Sequence, residues 1–294
     1  MTIQILVATD GSEVSREALR FGARLSKALG GGLALVHVVS PSANLEEAGA
    51  LLRAAQVEAA AGGILVKTRM EVGAPAESIL RIGRETGADM LVVGTHGRKG
   101  VARLFLGSVA ESLAKSAPVP VAVVRTFDQS AGDMGPLLVP TDFSEGAAHA
   151  AQAAAVLART LGTRLVLLHV LPEVVPPKGE EDPAAVRRET DRLRREAAAR
   201  LRSVGDALGL DRAQMEVSLV TGVDVAEIVH VAKAIRASCI VMGTRGLTGL
   251  PRILLGSVTD QVLRQAPCPV LVIPPGITAS RGWWHEAGNA RQGR

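Results

Sequence analysis

A long internal repeat constrains the fold of this chain more than any other feature of its sequence. The segment Ile5-Leu6-Val7-Ala8-Thr9-Asp10 matches Leu137-Leu138-Val139-Pro140-Thr141-Asp142, which lies 132 positions later. A downstream pair, Gly94-Thr95-His96-Gly97 and Gly243-Thr244-Arg245-Gly246, is separated by 149 positions, so the second copy carries about 17 extra residues. A chain of 294 residues is also long enough for two domains of ordinary size. The sequence therefore predicts two copies of one domain.

Within one copy, short apolar segments alternate with helical patterns. Residues 3–8, 33–39, 90–93 and 119–124 are continuously apolar and rich in β-branched side chains, which is typical of strands covered on both faces. Residues 66–72 alternate apolar with polar side chains, which predicts a strand at the edge of the sheet. The order β-α-β-α-β-α-β-α-β predicts a Rossmann-like α/β fold, with an open, doubly wound, parallel five-stranded sheet in each copy.

The repeat also predicts where the domains begin and end. We expect a first domain over residues 1–127, a linker over 128–135, a second domain over 136–275 and a disordered tail over 276–294. The extra residues of the second copy fall within 172–202, a segment rich first in Pro and then in Arg, Glu and Ala. This composition predicts a longer loop that leads into a longer exposed helix.

Composition excludes several classes of protein. The net charge is only +4 with the basic residues dispersed, aromatic residues make up 2% and Tyr is absent, so we expect neither a nucleic-acid partner nor a base-stacking surface. No uncharged apolar stretch approaches the length of a membrane span, and no leader precedes the first strand, so we expect a cytoplasmic protein without a membrane partner. Cys239 and Cys268 offer no disulfide framework or zinc set, and we expect both to be reduced and buried.

A candidate ligand site lies where the strands of such a sheet end. Asp10 follows the first strand and Gly94 the fourth, and ligands of open α/β sheets bind at this carboxyl edge. The glycines form a G-x2-G-x9-G-[ST] motif whose last two residues, Gly107-Ser108 and Gly256-Ser257, open the final helix of each copy. Glycine-rich backbone beside a helix N-terminus predicts an anion cradle. Neither GxxxxGK[ST] nor GxGxxG followed by a ribose-binding acid occurs, which argues against a motor NTPase and a dinucleotide dehydrogenase.

These residues resemble the universal stress protein family, in its ATP-binding form, present as two tandem copies. The resemblance rests on Thr9-Asp10 and Thr141-Asp142, on His37-Val38 and His169-Val170, and on the glycine motif in both copies. It implies that Val38 and Val170 hydrogen-bond adenine through the main chain, that Asp10 and Asp142 face the nucleoside, and that the glycine loop with its Ser and Val holds ribose and phosphates.

The resemblance also implies the cofactor ATP, with any Mg²⁺ carried on its phosphates rather than in a protein metal site. The expected contacts in the first copy are Ala8, Thr9, Asp10, Val38, Gly94, Thr95, Gly97, Arg98, Gly107, Ser108 and Val109. Those in the second copy are Pro140, Thr141, Asp142, Val170, Gly243, Thr244, Gly246, Gly256, Ser257 and Val258.

Some of these residues also have structural interpretations. Asp10, Ser108 and Ser257 each stand three positions before an acidic residue, and taken alone that spacing predicts a helix N-cap. His37 and His169 lie inside buried strands, where we expect a satisfied imidazole with no chemical role.

The two copies differ near the predicted sites. Arg98 and Lys99 of the first copy are replaced by Leu247 and Thr248, which makes the second cradle less positive and predicts tighter ATP binding in the first. Phe143 replaces Gly11, which predicts altered access beside Asp142.

Three functions remain open at this point. The first is an ATP-binding stress-response and signalling module with little or no turnover, acting on a signalling protein that the sequence does not identify. The second is a slow ATPase or phosphotransferase, for which Asp10 and Asp142 are the only candidate bases, since no second carboxylate is evident beside either motif. We therefore assign no catalytic residue. The third is a divided protein, in which one domain binds ATP and the other is a scaffold.

The last strand of each copy predicts how the domains associate. Pro118-Val119-Pro120 and Pro267-Cys268-Pro269 precede these strands and remove N–H donors, which is typical of an edge. In the resembled family this strand often pairs with its equivalent. We expect either a homo-oligomer through these edges or pairing of the two domains within one chain.

Overall fold

The structure is a computed structural model, and it describes residues 3–95, 106–125, 134–175, 182–244 and 255–277. The first repeat contains β1 (Gln4–Ala8), α1 (Glu13–Ala28), β2 (Gly32–Val39), α2 (Leu45–Ala60), β3 (Val66–Val72), α3 (Pro75–Thr86), β4 (Met90–Gly94), α4 (Ser108–Ser116) and β5 (Val121–Val124). The second repeat contains β6 (Leu137–Pro140), α5 (Glu145–Leu161), β7 (Leu165–Leu171), α6 (Pro183–Ala207), β8 (Met215–Thr221), α7 (Asp224–Ala234), β9 (Cys239–Gly243), α8 (Ser257–Gln265) and β10 (Val270–Ile273). The predicted alternation of strands and helices is confirmed in both repeats.

The sheet is doubly wound and parallel within each repeat. Its strand order is β3-β2-β1-β4-β5-β10-β9-β6-β7-β8, so the predicted fold class is confirmed and β3 lies at an edge, as expected. Odd-numbered residues of β1 such as Ile5 and Val7 pack on one side with α1 and α2, whereas Leu6 packs on the other with α3 and α4. Because both faces are covered, the central strands contain almost only apolar residues.

The two repeats share one continuous sheet. β5 pairs with β10 in the antiparallel direction, with Val123 opposite Val270 and Ala122 opposite Leu271. The last strand is an edge within its own repeat, as Pro120 and Pro269 predicted, but it is not a free edge of the molecule. Of the two expected modes of association, pairing within the chain is therefore the one that the structure shows.

The first helix of the chain begins later than the capping-box spacing of Asp10 predicted. Ser12, not Asp10, is the N-cap of α1, and its side chain accepts a hydrogen bond from the Ser15 N–H. Ser144 caps α5 in the same way. Asp10 instead accepts from the Ser12 N–H at 3.0 Å, so its side chain stabilises the turn before the helix.

The last helix of each repeat starts on a glycine. The N-caps of α4 and α8 are Gly107 and Gly256, and neither end has a side-chain capping bond. The prediction that Ser108 and Ser257 are N-caps is therefore wrong, because each is the first helical residue and its backbone has already turned into the helix.

The inserted segment of the second repeat produces the predicted longer helix. α6 has 25 residues and α2 has 16, and only Ala197, Leu201 and Gly205 of α6 are buried. Most of the predicted linker and tail lie outside the described residues, so the predicted domain boundaries stay predictions. Among the residues that the structure describes, no helix combines the length and the apolarity needed to cross a membrane.

Candidate functional site

Each repeat has a cavity at the carboxyl edge of its strands, between the first and fourth strands of the repeat. The cavity of the first repeat, cavity one, has a volume of about 170 Å³. Its walls include six of the predicted residues: Ala8, Thr9, Asp10, Val38, Gly94 and Val109. Pro75 and Ile79 of α3 complete the apolar side. Gly107 and Ser108 stand at the start of α4, but of the α4 residues only Val109 lines this cavity.

The cavity of the second repeat, cavity two, is larger. Its volume is about 450 Å³, and it brings together most of the predicted set: Pro140, Thr141, Asp142, Val170, Gly243, Gly256, Ser257 and Val258. The predicted residues Gly97, Arg98 and Gly246 lie outside the described residues. Thr95 and Thr244 are buried beside the cavities rather than in their walls.

The turn after the first strand has the same hydrogen bonds in both repeats. In the first, the Gly11 N–H donates to Thr9 Oγ1 (3.3 Å) and the Ser12 N–H donates to Asp10 Oδ1 (3.0 Å). In the second, the Phe143 N–H donates to Thr141 Oγ1 (3.0 Å) and the Ser144 N–H donates to Asp142 Oδ1 (3.0 Å). These bonds fix each Asp at the mouth of its cavity.

Both strand histidines hold this turn in place. Nδ1 of His37 lies 2.7 Å from the Thr9 carbonyl oxygen, and Nδ1 of His169 lies 2.7 Å from that of Thr141. A carbonyl can only accept, so each ring donates from Nδ1. The expectation that the two imidazoles are satisfied structural groups is confirmed. His169 also lines cavity two.

Gly94 and Gly243 serve packing as well as the cavities. A Cβ atom on Gly243 would stand 2.7 Å from the carbonyl oxygen of Gly146 in the first turn of α5, and one on Gly94 would lie 3.0 to 3.1 Å from Val14 of α1. The glycine motif predicts close approach of a ligand at these positions. The structure shows that close approach of the first helix also requires them.

The ends of the glycine loop are joined by a backbone hydrogen bond. The Gly107 N–H donates to the Thr95 carbonyl (2.6 Å), and the Gly256 N–H donates to that of Thr244 (2.8 Å). This bond brings the N-terminus of the last helix back to the end of the fourth strand. The helix dipole and the N–H groups of its first turn are therefore directed at the carboxyl edge of the sheet.

Asp224 is a site residue that the sequence analysis missed. It is the first residue of α7 and lines cavity two together with Asp142. The expectation that no second carboxylate lies beside either motif is therefore wrong for the second repeat. Pro75 occupies the corresponding place in cavity one, 149 positions earlier, so residue-by-residue comparison of the repeats would have found the difference.

Among the described residues, no three His, Cys, Asp or Glu side chains are grouped so that they could hold a metal ion.

The turn of the second repeat carries a ring where the first has a glycine. Phe143 has a positive φ of 63°, close to the 77° of Gly11. Its ring centroid lies 4.4 Å from that of His169, and the guanidinium carbon of Arg200 lies 4.4 Å from the Phe143 centroid. The longer helix α6 therefore contacts the residue next to Asp142.

Comparison with known proteins agrees with the repeat and the fold. The model of the universal stress protein family matches residues 1–125 and 134–274. A universal stress protein of Mycolicibacterium smegmatis is 30% identical over 299 residues, which cover 92% of this chain and 97% of the relative. One of Mycobacterium tuberculosis H37Rv is 34% identical over 211 residues, covering 70% of this chain and 68% of the relative.

A solved structure shows the same architecture over nearly the whole chain. The crystal structure of a universal stress protein from Archaeoglobus fulgidus superposes with a TM-score of 0.70, at 23% identity, covering 93% of this chain and 98% of that one. At this identity the likeness concerns the fold. Together with the two matched segments, it leads to one conclusion: this chain belongs to the universal stress protein family and contains the family's domain twice.

Proposed function

We propose that the protein binds ATP in the cavities of its repeats and acts as a signalling module with little or no turnover. The observation that carries the proposal is the shared construction of the two sites. In each, an Asp-containing turn, an open strand backbone and the N-terminus of the last helix converge on one cavity.

The open strand backbone is suited to an adenine ring. The Val36 carbonyl faces β1, because it accepts a hydrogen bond from the Thr9 N–H at 2.9 Å. β1 itself ends at Ala8, so it does not extend alongside the residues of β2 that follow. Backbone groups two residues apart in a strand point to the same side, so the N–H and C=O of Val38 face the space beyond β1. The Thr141 N–H donates to the Leu168 carbonyl (2.8 Å), which places Val170 in the same way in the second repeat. A donor and an acceptor side by side match the donor and acceptor edge of adenine.

The phosphates would lie at the start of the last helix. Ser257 and Val258 line cavity two in the first turn of α8, where backbone N–H groups have no helical partner and the dipole favours negative charge. Mg²⁺ would then enter bound to the phosphates.

The cavity volumes bear on the order in which the sites fill. Pockets for small ligands commonly measure about 300–1,000 Å³, a range that includes cavity two at 450 Å³ but not cavity one at 170 Å³. The hypothesis of tighter binding in the first repeat rests on Arg98 and Lys99, which lie outside the described residues. The described cavities favour the opposite order, with cavity two filling first.

One observation favours slow hydrolysis as a second candidate function, in the second repeat only. Among the described residues, cavity two contains two carboxylates, Asp142 and Asp224, whereas cavity one contains Asp10 alone. In a carboxylate pair, one Asp can hold the turn while the other acts as a general base, whereas a single Asp that holds the turn leaves no second carboxylate for that role. Oδ1 of Asp142 is bonded to the turn, so Asp224 is the better candidate for that role.

Calorimetric titration of the nucleotide-stripped protein with Mg-ATP tests the proposal, with ADP release followed in the same mixture. We expect binding without measurable release of ADP on the timescale of the titration. Asp142→Ala should weaken ATP binding in cavity two, and Asp10→Ala should weaken ATP binding in cavity one. Comparison of the two variants therefore identifies which cavity fills first. Absence of any binding would overturn the proposal, and ADP release abolished by Asp224→Asn would establish the slow ATPase instead.

A further inference from the structure

The second repeat contains a contact that the first cannot make. Residues of α6 correspond to those of α2 at an offset of 149, because buried Ala197, Leu201 and Leu208 match buried Ala48, Leu52 and Ala59. At that offset Arg200 corresponds to Leu51, whereas Phe143 of the turn corresponds to Gly11 at the offset of 132 that relates the two turns. Both partners of the Arg200–Phe143 contact are therefore particular to the second repeat.

Phe143 occupies a backbone conformation that its side chain disfavours. A φ of 63° lies in the left-handed region, which a glycine adopts without penalty and a bulky residue rarely adopts. The ring contacts the His169 ring, 4.4 Å away and tilted by 43°, and the Arg200 guanidinium, also 4.4 Å away. Aromatic and cation–π contacts on the ring thus hold the residue where its backbone alone would not keep it.

Phe143 and His169 are both hydrogen-bonded to Thr141, which lines cavity two. The N–H of Phe143 donates to Thr141 Oγ1, and His169 bonds the Thr141 carbonyl while itself lining the cavity. Asp142 stands between Thr141 and Phe143 in the same turn. A shift of the Phe143 ring would therefore move His169 and the backbone that presents Asp142.

We infer that Arg200 is a positioning residue of cavity two, which acts through Phe143 to hold the Thr141–Asp142 turn and thereby couples the seating of α6 to ligand binding. The coupling to a ligand rests on the proposed ATP binding. By reciprocity, a ligand that tightens the turn also holds α6 more firmly on the sheet. The first repeat has the same turn without the stack, so its cavity has no such coupling.

The first test needs no ligand. Hydrogen exchange of the full-length protein is compared between wild type, Arg200→Leu, which introduces the first repeat's residue, and Arg200→Lys, which keeps a cation. Because Arg200 is itself exposed, we expect Arg200→Leu to speed exchange at the Phe143 and Ser144 amides about twofold to fivefold and Arg200→Lys to restore most of the protection. The Gly11 and Ser12 amides serve as an internal control and should not change. Arg202→Leu is the matched variant, because Arg202 and Arg200 are both exposed on the same helix.

The second test measures Mg-ATP binding to the same proteins. Arg200→Leu should raise the dissociation constant of cavity two about twofold to fivefold and leave that of cavity one unchanged, and Arg200→Lys should lie closer to wild type than to Arg200→Leu. In a Phe143→Gly background, Arg200→Leu should have no further effect, because Arg200 acts through the ring.

The outcomes separate this inference from the proposed function. If wild type does not bind Mg-ATP, the proposed function fails, and the exchange experiment still decides whether Arg200 holds the turn. If wild type binds and Arg200→Leu changes neither exchange nor affinity in cavity two, the inference is overturned. An equal loss of affinity with Arg202→Leu would overturn it as well, since the effect would then reflect the charge of α6.

Discussion

Gly243 ends β9 at the point where the first turn of α5 passes over the strand. The carbonyl oxygen of Gly146 would lie 2.7 Å from an added Cβ and its carbonyl carbon 2.8 Å away, and both belong to a helix backbone that cannot move aside alone. At the scale of single residues, the packing of α5 on β9 thus requires a glycine at this position, whether or not a ligand binds. Gly94 is less crowded, since an added Cβ would lie 3.0 to 3.1 Å from Val14.

We therefore expect Gly243→Ala to lower the free energy of unfolding by about 1–3 kcal/mol, because the methyl group would force α5 away from the strand. Urea denaturation measures the change. Gly62→Ala is the matched control: its added Cβ meets only the Ala59 carbonyl oxygen at 3.7 Å, so stability should stay the same or rise by up to about 1 kcal/mol. Equal losses in the two variants would contradict the packing argument.

The two cysteines are buried on opposite faces of the sheet, Cys239 with the α1 and α5 side and Cys268 with the α4 and α8 side. Burial raises the pKa of the Cys268 thiol to about 12, and burial also raises that of Cys239. The expectation of buried free thiols is confirmed within the structure.

These raised pKa values predict how stability depends on alkaline pH. An unfolded thiol ionises near pH 8.5, so between that pH and about 12 the folded protein binds more protons and its stability falls as pH rises. Each buried thiol should contribute a slope of about 1.4 kcal/mol per pH unit well above 8.5. Cys268→Ala should show a shallower decline of the urea midpoint between pH 9 and 10.5 than wild type. Identical slopes would show that Cys268 ionises in the folded protein.

At the scale of elements, Arg125 connects β5 of the first repeat to α8 of the second. Its guanidinium donates to the backbone carbonyl of Arg264 at the end of α8, where the helix dipole is negative. Partial burial lowers the pKa of Arg125, but an arginine keeps its charge. The sheet junction is thus supported by a charged hydrogen bond as well as by strand pairing.

Replacing Arg125 with Met should lower the free energy of unfolding by about 1–3 kcal/mol, because the Arg264 carbonyl loses a charged donor at a partly buried position. Arg264→Met is the control at the same helix end. It removes the ion pair with Asp260 one turn earlier (2.9 Å) and a weaker attraction to Glu111, for which together we expect a loss of about 0.5 kcal/mol or less. Thermal or urea unfolding compares the two, and a smaller effect for Arg125 than for Arg264 would contradict its role at the junction.

At the scale of the whole molecule, antiparallel pairing of β5 with β10 leaves β3 and β8 as the outer strands of a ten-stranded sheet. β3 carries charged side chains, including Arg69, which pairs with Glu71 (3.0 Å) and Glu85 (2.7 Å). β8 carries Glu216, paired with Arg164 at 3.4 Å. Charged outer strands discourage pairing with a further sheet, whereas β5 and β10 are apolar and buried on both faces.

We expect the repeats, produced as separate chains of residues 1–127 and 136–275, to form a one-to-one complex when mixed, because each exposes an apolar last strand that the other can cover. Analytical ultracentrifugation measures the complex, and the intact chain at the same concentration shows whether the outer strands associate. Separate repeats that remain monomeric when mixed would indicate that the junction depends on the covalent connection.

The sequence by itself determined the tandem architecture, the order of strands and helices, the edge position of β3 and the carboxyl-edge location of Asp10 and Gly94. These features follow from periodicity and from turns only a few residues long, so a local pattern contains them. Even here the helix starts were misplaced, because Asp10 and Ser12 are both good caps and only the backbone conformation chooses between them.

Only the tertiary structure decided that β5 pairs with β10 rather than with a second chain, that Asp224 lies in the wall of cavity two, and that Arg200 lies on Phe143. Each of these contacts joins residues far apart in the chain. Whether such residues meet depends on which strands are neighbours and on how far a helix extends past them, and no local pattern specifies either.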